Sequence, residues 1–366
     1  MQTSIATITA VIPTYRRPKT LRRAILSAMQ QTFRNLAIVV YDDASGDETE
    51  TVVLELAKQD SRIRYVRHDA NIGAAANFAY AAADVRSPFF TVLCDDDVIL
   101  PHFYEFALAT LMKETNVALF AGYALRITDR VQVISKPSDA WTGEVTYPPL
   151  ATRLMLDGAH PAFPTTVFRT LIVNDLGGIN PRAGSLIDID LFARIAAHNP
   201  IVLSTEPCGF LSVHNGSWSS RLESLAIDYN YIIDRLDLLA DRDDVQTLSA
   251  RLRSRRDLHI LQQGLRSLQR ATRESTASYI ATLVQLHNPT YAGILALLSA
   301  CTRIVPKFGT LVNGLLEFRQ IRMGAATLRH KAIATTANPL AAVTFYAQLC
   351  EASGISLDRS YDTRAR

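Results

Sequence analysis

The sequence predicts an α/β fold, a mostly parallel central sheet flanked by helices with a helical extension at its C-terminal side. Two observations carry this. Apolar, β-branched runs alternate four times with helical periodicity between residues 7 and 97, across short polar links. That alternation builds parallel sheets with right-handed crossovers. Beyond Arg221 the composition shifts to helix formers, and residues 222–273 contain no proline.

The first buried strand is Thr7–Pro13, turning at Pro13-Thr14-Tyr15. Leu21, Ala24, Ile25, Ala28 and Met29 recur at helical spacing, so an amphipathic helix covers Lys19–Gln31, with Pro18 suited to its first turn. Leu36–Tyr41 is the second strand and ends in Asp42-Asp43. Ser45 and Glu48 have the spacing of a capping box for a helix carrying Val52, Val53, Leu56 and Ala57. Ile63–Val66 is a short third strand, and Asn71-Ile72-Gly73 turns into the helix Ala74–Ala83. The fourth strand, Phe89–Cys94, runs into Asp95-Asp96-Asp97.

Further on, Pro101–Lys113 reads as a helix with Phe103, Phe106, Ala107 and Leu111 inward. Val117–Ile127 and Val131–Ile134 read as strands of a hairpin, and Ser135–Pro149 as a mobile loop. Trp141 in that loop is either a packing anchor, the commoner role, or a platform for a sugar. Ala159–Arg169 is a proline-broken approach to a strand. After the Gly177-Gly178 turn, Leu191, Ile195 and Ala196 form a helical stripe with Asp188 and Asp190 at its start, where acids favour the helix dipole. Ile201–Ser204 and Gly209–Val213 read as two strands.

Composition narrows the function classes. With 366 residues and 48% hydrophobic content the chain can bury a large core, as one large domain or two. A net charge of +3 is too balanced to indicate nucleic acid. Cys94, Cys208, Cys301 and Cys350 are far apart, which argues against a zinc site or a disulfide framework and suits a reducing cytoplasm. The first residues lack a signal-peptide pattern, and the longest apolar stretch, ending before Pro306, is too short to span a bilayer.

The chemistry is expected at the carboxyl ends of the strands, where open α/β sheets bind ligands. Pro13-Thr14-Tyr15, Asp42-Asp43, Asn71–Gly73 and Asp95–Asp97 all lie at such ends. A capping role needs one aspartate, whereas three after a buried strand suit a hard divalent ion completed by phosphate oxygens. Neither GxGxxG nor GxxxxGK[ST] is present, so no glycine cradle holds a nucleotide here.

These segments, in order, carry a resemblance: Val11–Arg17, Gln31-Thr32-Phe33, Val39–Asp47, Asn71-Ile72-Gly73 and Leu93–Asp97. Over roughly residues 5–220 the chain resembles a family 2 glycosyltransferase of the GT-A fold. The resemblance implies inverting transfer of a sugar from a UDP-, dTDP- or GDP-linked donor to a saccharide acceptor hydroxyl. It implies that Pro13, Thr14, Tyr15 and Asp43 line the nucleoside pocket, with Asp43 toward the base. Asp95 lies toward the ribose and sugar, and Asp97, with Asp95 and Asp96, serves Mn²⁺ or Mg²⁺. Asn71 and Gly73 complete the donor rim. Many relatives carry an arginine in the following helix where this chain has Ala74-Ala75-Ala76-Asn77, so Arg17 or Asn77 is the expected substitute at the diphosphate. Asp188 matches the family's general base, with Ile187 where Glu is usual and Asp190 as the rival. His214 falls in a loop that closes over the diphosphate, sometimes as a metal ligand. A sugar nucleotidyltransferase and a non-catalytic GT-A-like module are the alternatives.

On this reading residues 1–220 are the transferase domain, with a donor half, 1–115, and an acceptor half, 116–220, and residues 221–366 are a helical region. Arg251, Arg253, Arg255, Arg256, Arg266, Arg270 and Arg273 read as a solvated face or as a contact for an anionic lipid surface. Leucine-rich segments at 291–305 and 308–318, beside Arg303, Lys307, Arg319 and Arg322, suit a peripheral contact with the inner face of a membrane, where a lipid-linked acceptor sits, or a homodimer interface.

Overall fold

The computed structural model describes residues 6–128, 138–213, 222–239, 242–267, 273–304 and 339–355. Strands β1 (Ile8–Thr14), β2 (Leu36–Asp42), β3 (Ile63–Arg67) and β4 (Phe89–Val92) alternate with helices α1 (Pro18–Met29), α2 (Thr49–Ala57) and α3 (Ala74–Ala83). All four strands are parallel in the order β3-β2-β1-β4, with Ile8 opposite both Leu36 and Phe89. The alternation along β1 decides its two faces. Ile8, Ala10 and Ile12 pack under α1, while Val11 joins the core on the opposite side.

The second half of the sheet is mixed. Strands β5 (Val98–Ile99), β6 (Leu119–Thr128), β7 (Val145–Thr146), β8 (Thr166–Arg169) and β9 (Ile201–Val213) extend the order past β4 as β8-β6-β9-β5, and β7 pairs with β9. Strand β8 is antiparallel to both β4 and β6, whereas β6 and β9 are parallel. The two strands expected over 201–213 are one long strand. Its register against β6 shifts around Gly122, where a Cβ would stand 2.1 Å from Cys208 Sγ. Helices α4 (Phe103–Lys113) and α6 (Thr170–Asp175) pack on this sheet, α7 (Ile187–His198) meets β8 through Phe192, and α5 (Leu150–Leu154) packs on α7.

Several local expectations change. Helix α2 starts at Thr49, and Ser45 does not cap it; the Ser45 hydroxyl donates to Asp42, while Asp47 Oδ1 accepts from Thr49 N at 3.0 Å. Phe106 is 40% exposed, and Tyr104 and Leu108 face inward instead. Trp141 packs as the commoner role predicts, buried, edge-on to Tyr123 and with its indole N–H donating to Ala159 O at 2.7 Å, and it also borders the cleft over the strand ends. Residues 131–134, expected to complete a hairpin, lie outside the described residues.

The C-terminal region is helical, with α8 (Leu222–Ile233), α9 (Arg242–Ser267), α10 (Arg273–Gln285), α11 (Pro289–Ile304) and α12 (Pro339–Ala352). Helices α8 to α11 pack on one another, and α12 lies against α1. Where β4, β8 and α7 meet, Phe168 stacks on Phe90 at 5.1 Å and on Phe192 at 5.8 Å, with no exposed surface. Phe168→Ala should therefore cost about 3–5 kcal/mol in denaturant unfolding. A loss below about 1 kcal/mol would mean that this junction does not hold the two halves of the sheet together.

Candidate active site

A cleft of 780 Å³ opens over the carboxyl ends of β1, β2 and β4. Pro13, Thr14, Tyr15, Arg17, Asp43, Asn71, Gly73, Asn77, Asp95, Asp96, Asp97 and Asp188 all line it. The parallel topology thus brings together residues that are 175 positions apart in the chain (188 − 13). Asp190 does not line the cleft; it is buried, and its carboxylate holds Arg194 one turn along α7 at 2.8 Å. His214 lies outside the described residues.

The rim loops are tied to one another. Asp43 accepts from the backbone N–H of Ile72 at 2.6 Å and of Gly73 at 3.0 Å, so its carboxylate fixes the turn before α3. Gly73 has φ +88°, a conformation open to glycine and strained for other residues. Arg16 N donates to Ser45 Oγ at 2.8 Å, joining the loop after β1 to the loop after β2. Arg16 and Ala44 are themselves left-handed, at φ +54° and +58°, backbone strain of the kind found at functional loops. The Asn77 carboxamide donates to Tyr41 O at 2.9 Å, and its oxygen meets His68 Nε2 at 3.0 Å. Its polar atoms thus brace the fold, and Arg17 is the candidate substitute that carries charge.

The acidic triplet is held from both sides. Asp95 accepts from Thr14 Oγ1 at 2.8 Å and from Arg17 at 3.2 Å, and Arg17 also reaches Asp96 at 2.9 Å. Asp97 Oδ1 accepts from Ser212 N at 2.8 Å, which anchors the acids to β9. Beneath them the buried Arg23 donates to Asp96 O and, at 3.0 Å, to Ser212 Oγ. Burial pushes the Asp95 carboxyl up to about 6, Asp96 adds repulsion, and Arg17 and Thr14 oppose the rise. Burial and then Asp96 push Asp97 well above the carboxylate range, against Ser212 N and Arg23.

The opposite wall carries Asp188 at the start of α7, close to His160. Burial raises the Asp188 carboxyl, and His160 opposes that rise. Burial lowers the His160 imidazole, and Nδ1 lies 3.0 Å from Pro161 O, the geometry of a donated N–H that leaves Nε2 as the acceptor. The turn before α7 is clamped by α8, because Asp228 accepts from Ser185 N at 2.8 Å and from its hydroxyl. Gly184 in that turn has φ +58°, and a Cβ there would stand 2.0 Å from the Asp228 carboxylate. His160, Arg126, Ser212 and Arg255 were not expected at the site. Proline on both sides of the segment Pro161–Pro164 was the one local signal near His160, and the other three come from distant strands and α9.

The donor set can take a hard cation. It consists of carboxylate oxygens only, and their crowding favours an added positive charge. Among the described residues no group of three His, Cys, Asp or Glu side chains converges to hold a metal unaided.

A mostly parallel sheet of this order with acids at the end of its fourth strand is the frame of a GT-A fold. Residues 9–173 match the family described as "Glycosyl transferase family 2". It is 36% identical over 118 residues to the GalNAc(5)-diNAcBac-PP-undecaprenol beta-1,3-glucosyltransferase of Campylobacter jejuni, covering 32% of this chain and 36% of that protein. It is 27% identical over 118 residues to the UDP-Glc:alpha-D-GlcNAc-diphosphoundecaprenol beta-1,3-glucosyltransferase WfgD of Escherichia coli, covering 32% and 46%. The chain thus spans between about a third and a half of these relatives. In structure it resembles S. aureus TarS, with a TM-score of 0.56 at 16% identity over 80% of this chain and 54% of that one. It also resembles the mannosyltransferase PcManGT of Pyrobaculum calidifontis, solved with GDP-Man and Mn²⁺, with a TM-score of 0.52 at 15% identity over 88% and 87%. The fold is GT-A.

The raised Asp95 makes a stability prediction. The folded chain binds this proton more tightly than the unfolded chain, so Asp95 lowers stability as pH rises from about 4, its unfolded value, to about 6. In EDTA, Asp95→Asn should gain on the parent by on the order of 3 kcal/mol across that window in denaturant unfolding. Parallel pH profiles for the two proteins would show that Asp95 titrates as an ordinary carboxylate.

Proposed function

We propose that this chain is an inverting glycosyltransferase that moves a sugar from a nucleotide-diphosphate sugar to an acceptor hydroxyl in bacterial glycoconjugate synthesis. The observation that carries the reading is the cleft itself. One wall is an acidic strand end with a cation beside it, and the other presents a lone carboxylate from a helix start. Residues 1–220 would form the catalytic domain, with 221–366 as its helical support. The names of the C. jejuni and E. coli relatives put their acceptors on undecaprenyl diphosphate, which supports a lipid-linked saccharide acceptor here. Among the described residues no helix is long and apolar enough to cross a membrane.

In this reading Pro13, Thr14, Tyr15 and Asp43 hold the nucleoside, with Asn71 and Gly73 at its edge. Asp95, Asp96 and Asp97 would hold Mn²⁺ or Mg²⁺ together with the donor's phosphates, and the ion, when bound, supplies Lewis-acid neutralisation of the leaving diphosphate. Arg17 adds a fixed positive charge at the same end. Asp188 takes the proton of the acceptor hydroxyl as its oxygen attacks the anomeric carbon. The bond from that carbon to the diphosphate oxygen breaks, and the nucleoside diphosphate leaves with the electron pair. A single displacement inverts the anomeric centre.

Incubation with a panel of UDP-, dTDP- and GDP-sugars and Mn²⁺ tests the class. A transferase releases nucleoside diphosphate, whereas pyrophosphate with sugar-1-phosphate would indicate a nucleotidyltransferase, and no turnover a binding module. Asp188→Asn should retain donor binding and lose about 10²–10⁴ in rate; an active variant removes Asp188 from the chemistry. Because burial raises Asp188, the acid limb of kcat should lie above the ordinary carboxylate value of about 4, rate rising with pH as the proton leaves. Asp97→Ala should abolish both transfer and the Mn²⁺-dependent gain in nucleoside diphosphate affinity, read by thermal shift. Undiminished turnover in chelator would take the metal out of the mechanism.

A further inference from the structure

Helix α9 turns three of its arginines toward the rest of the chain, and they are not equivalent. Arg251 pairs with Asp157, and the buried Arg256 with Asp257. Arg255 donates one hydrogen bond, from Nη1 to Leu156 O at 3.0 Å, and no carboxylate within ion-pair distance accompanies it among the described residues. Its guanidinium lies over Gly158, where a Cβ would stand 2.1 Å from Nη2, so the missing side chain is what admits it. From there it lines the cleft, together with Arg126 of β6, His160 and Asp188. Both arginines lie close enough to His160 to disfavour its charged form. The acidic triplet stands at the strand-end wall with Arg17, so this second cationic group belongs to the end where the acceptor hydroxyl would meet Asp188.

We propose that Arg126 and Arg255 form an anion subsite that takes a phosphate or diphosphate carried by the acceptor. Guanidinium pairs from two elements suit phosphate oxygens through forked, charge-assisted hydrogen bonds. The site would fix the anionic end of the acceptor and so present its sugar hydroxyl to Asp188. Assigning the anion to an acceptor rests on the transferase reading; the binding itself does not.

The test is calorimetric titration of the intact chain with inorganic pyrophosphate in EDTA, where the acidic triplet has no metal to attract the anion. Pyrophosphate should bind, and Arg126→Gln and Arg255→Gln should each weaken it about tenfold or more. Arg251→Gln, on the same helix but outside the cleft lining, should change it less than about twofold. Arg255→Lys keeps the charge and should recover part of the affinity, which separates lost binding from lost folding. Farnesyl diphosphate binding about tenfold more tightly than pyrophosphate would assign the anion to a lipid carrier, and equal affinity to a soluble phosphate. Affinity unchanged in both glutamine variants, or no binding by the folded parent at millimolar pyrophosphate, would overturn the subsite. Release of nucleoside diphosphate by slow donor hydrolysis tests the transferase reading independently, so either can fail alone.

Discussion

Three consecutive carboxylates at the end of a buried strand impose the constraint that shapes the site. Desolvation and mutual repulsion both oppose their charged forms. The chain answers with cations at two depths. Arg17 meets Asp95 and Asp96 at the cleft surface, and Arg23 sits fully inside, donating to the Asp96 carbonyl below them. Ser212 N completes the cradle at Asp97. Even so, burial and Asp96 hold the Asp95 carboxyl up at about 6, so the cluster is still short of positive charge. A divalent cation at the triplet would relieve that shortfall.

Arg23 also links the site to the far end of the chain. Its Nη1 donates to Tyr346 OH at 2.6 Å, and its guanidinium lies 4.8 Å from the Tyr346 ring centre. Helix α12 therefore seals the buried guanidinium that supports the acidic loop. Helix α8 performs a similar service on the other wall, where Asp228 holds the turn leading to Asp188. The helical region is thus a structural partner of the cleft on both sides. Arg251, Arg255 and Arg256, which in the sequence suit a solvated face or a lipid-facing surface, make contacts within the chain, and Arg251 stays more than half exposed.

Much of the donor end was legible from residue order. Local periodicity reports which face of a segment is buried, and four strands alternating with helices admit one economical arrangement, a parallel sheet. Placing Pro13, Asp43, Asn71 and Asp95 on one rim then follows from topology alone. The acceptor end was less legible. Strand β8 is four residues long and enters antiparallel between β4 and β6, which no pattern within it announces. Bulges around Gly122 let β9 run on as one strand where proline and glycine suggested a break.

The sequence by itself determined the α/β class, the acidic strand end and the carboxylate at the start of α7, because each is written in contiguous residues with a local period. Tertiary structure alone decided which charges pair and which face the cleft. Arg251, Arg255 and Arg256 lie within six positions of one another; what separates them is Asp157, Gly158 and Asn230, which stand on other elements. A charge on a helix face carries no record of its partner, since Coulomb attraction and desolvation depend on distance in space and not on separation along the chain.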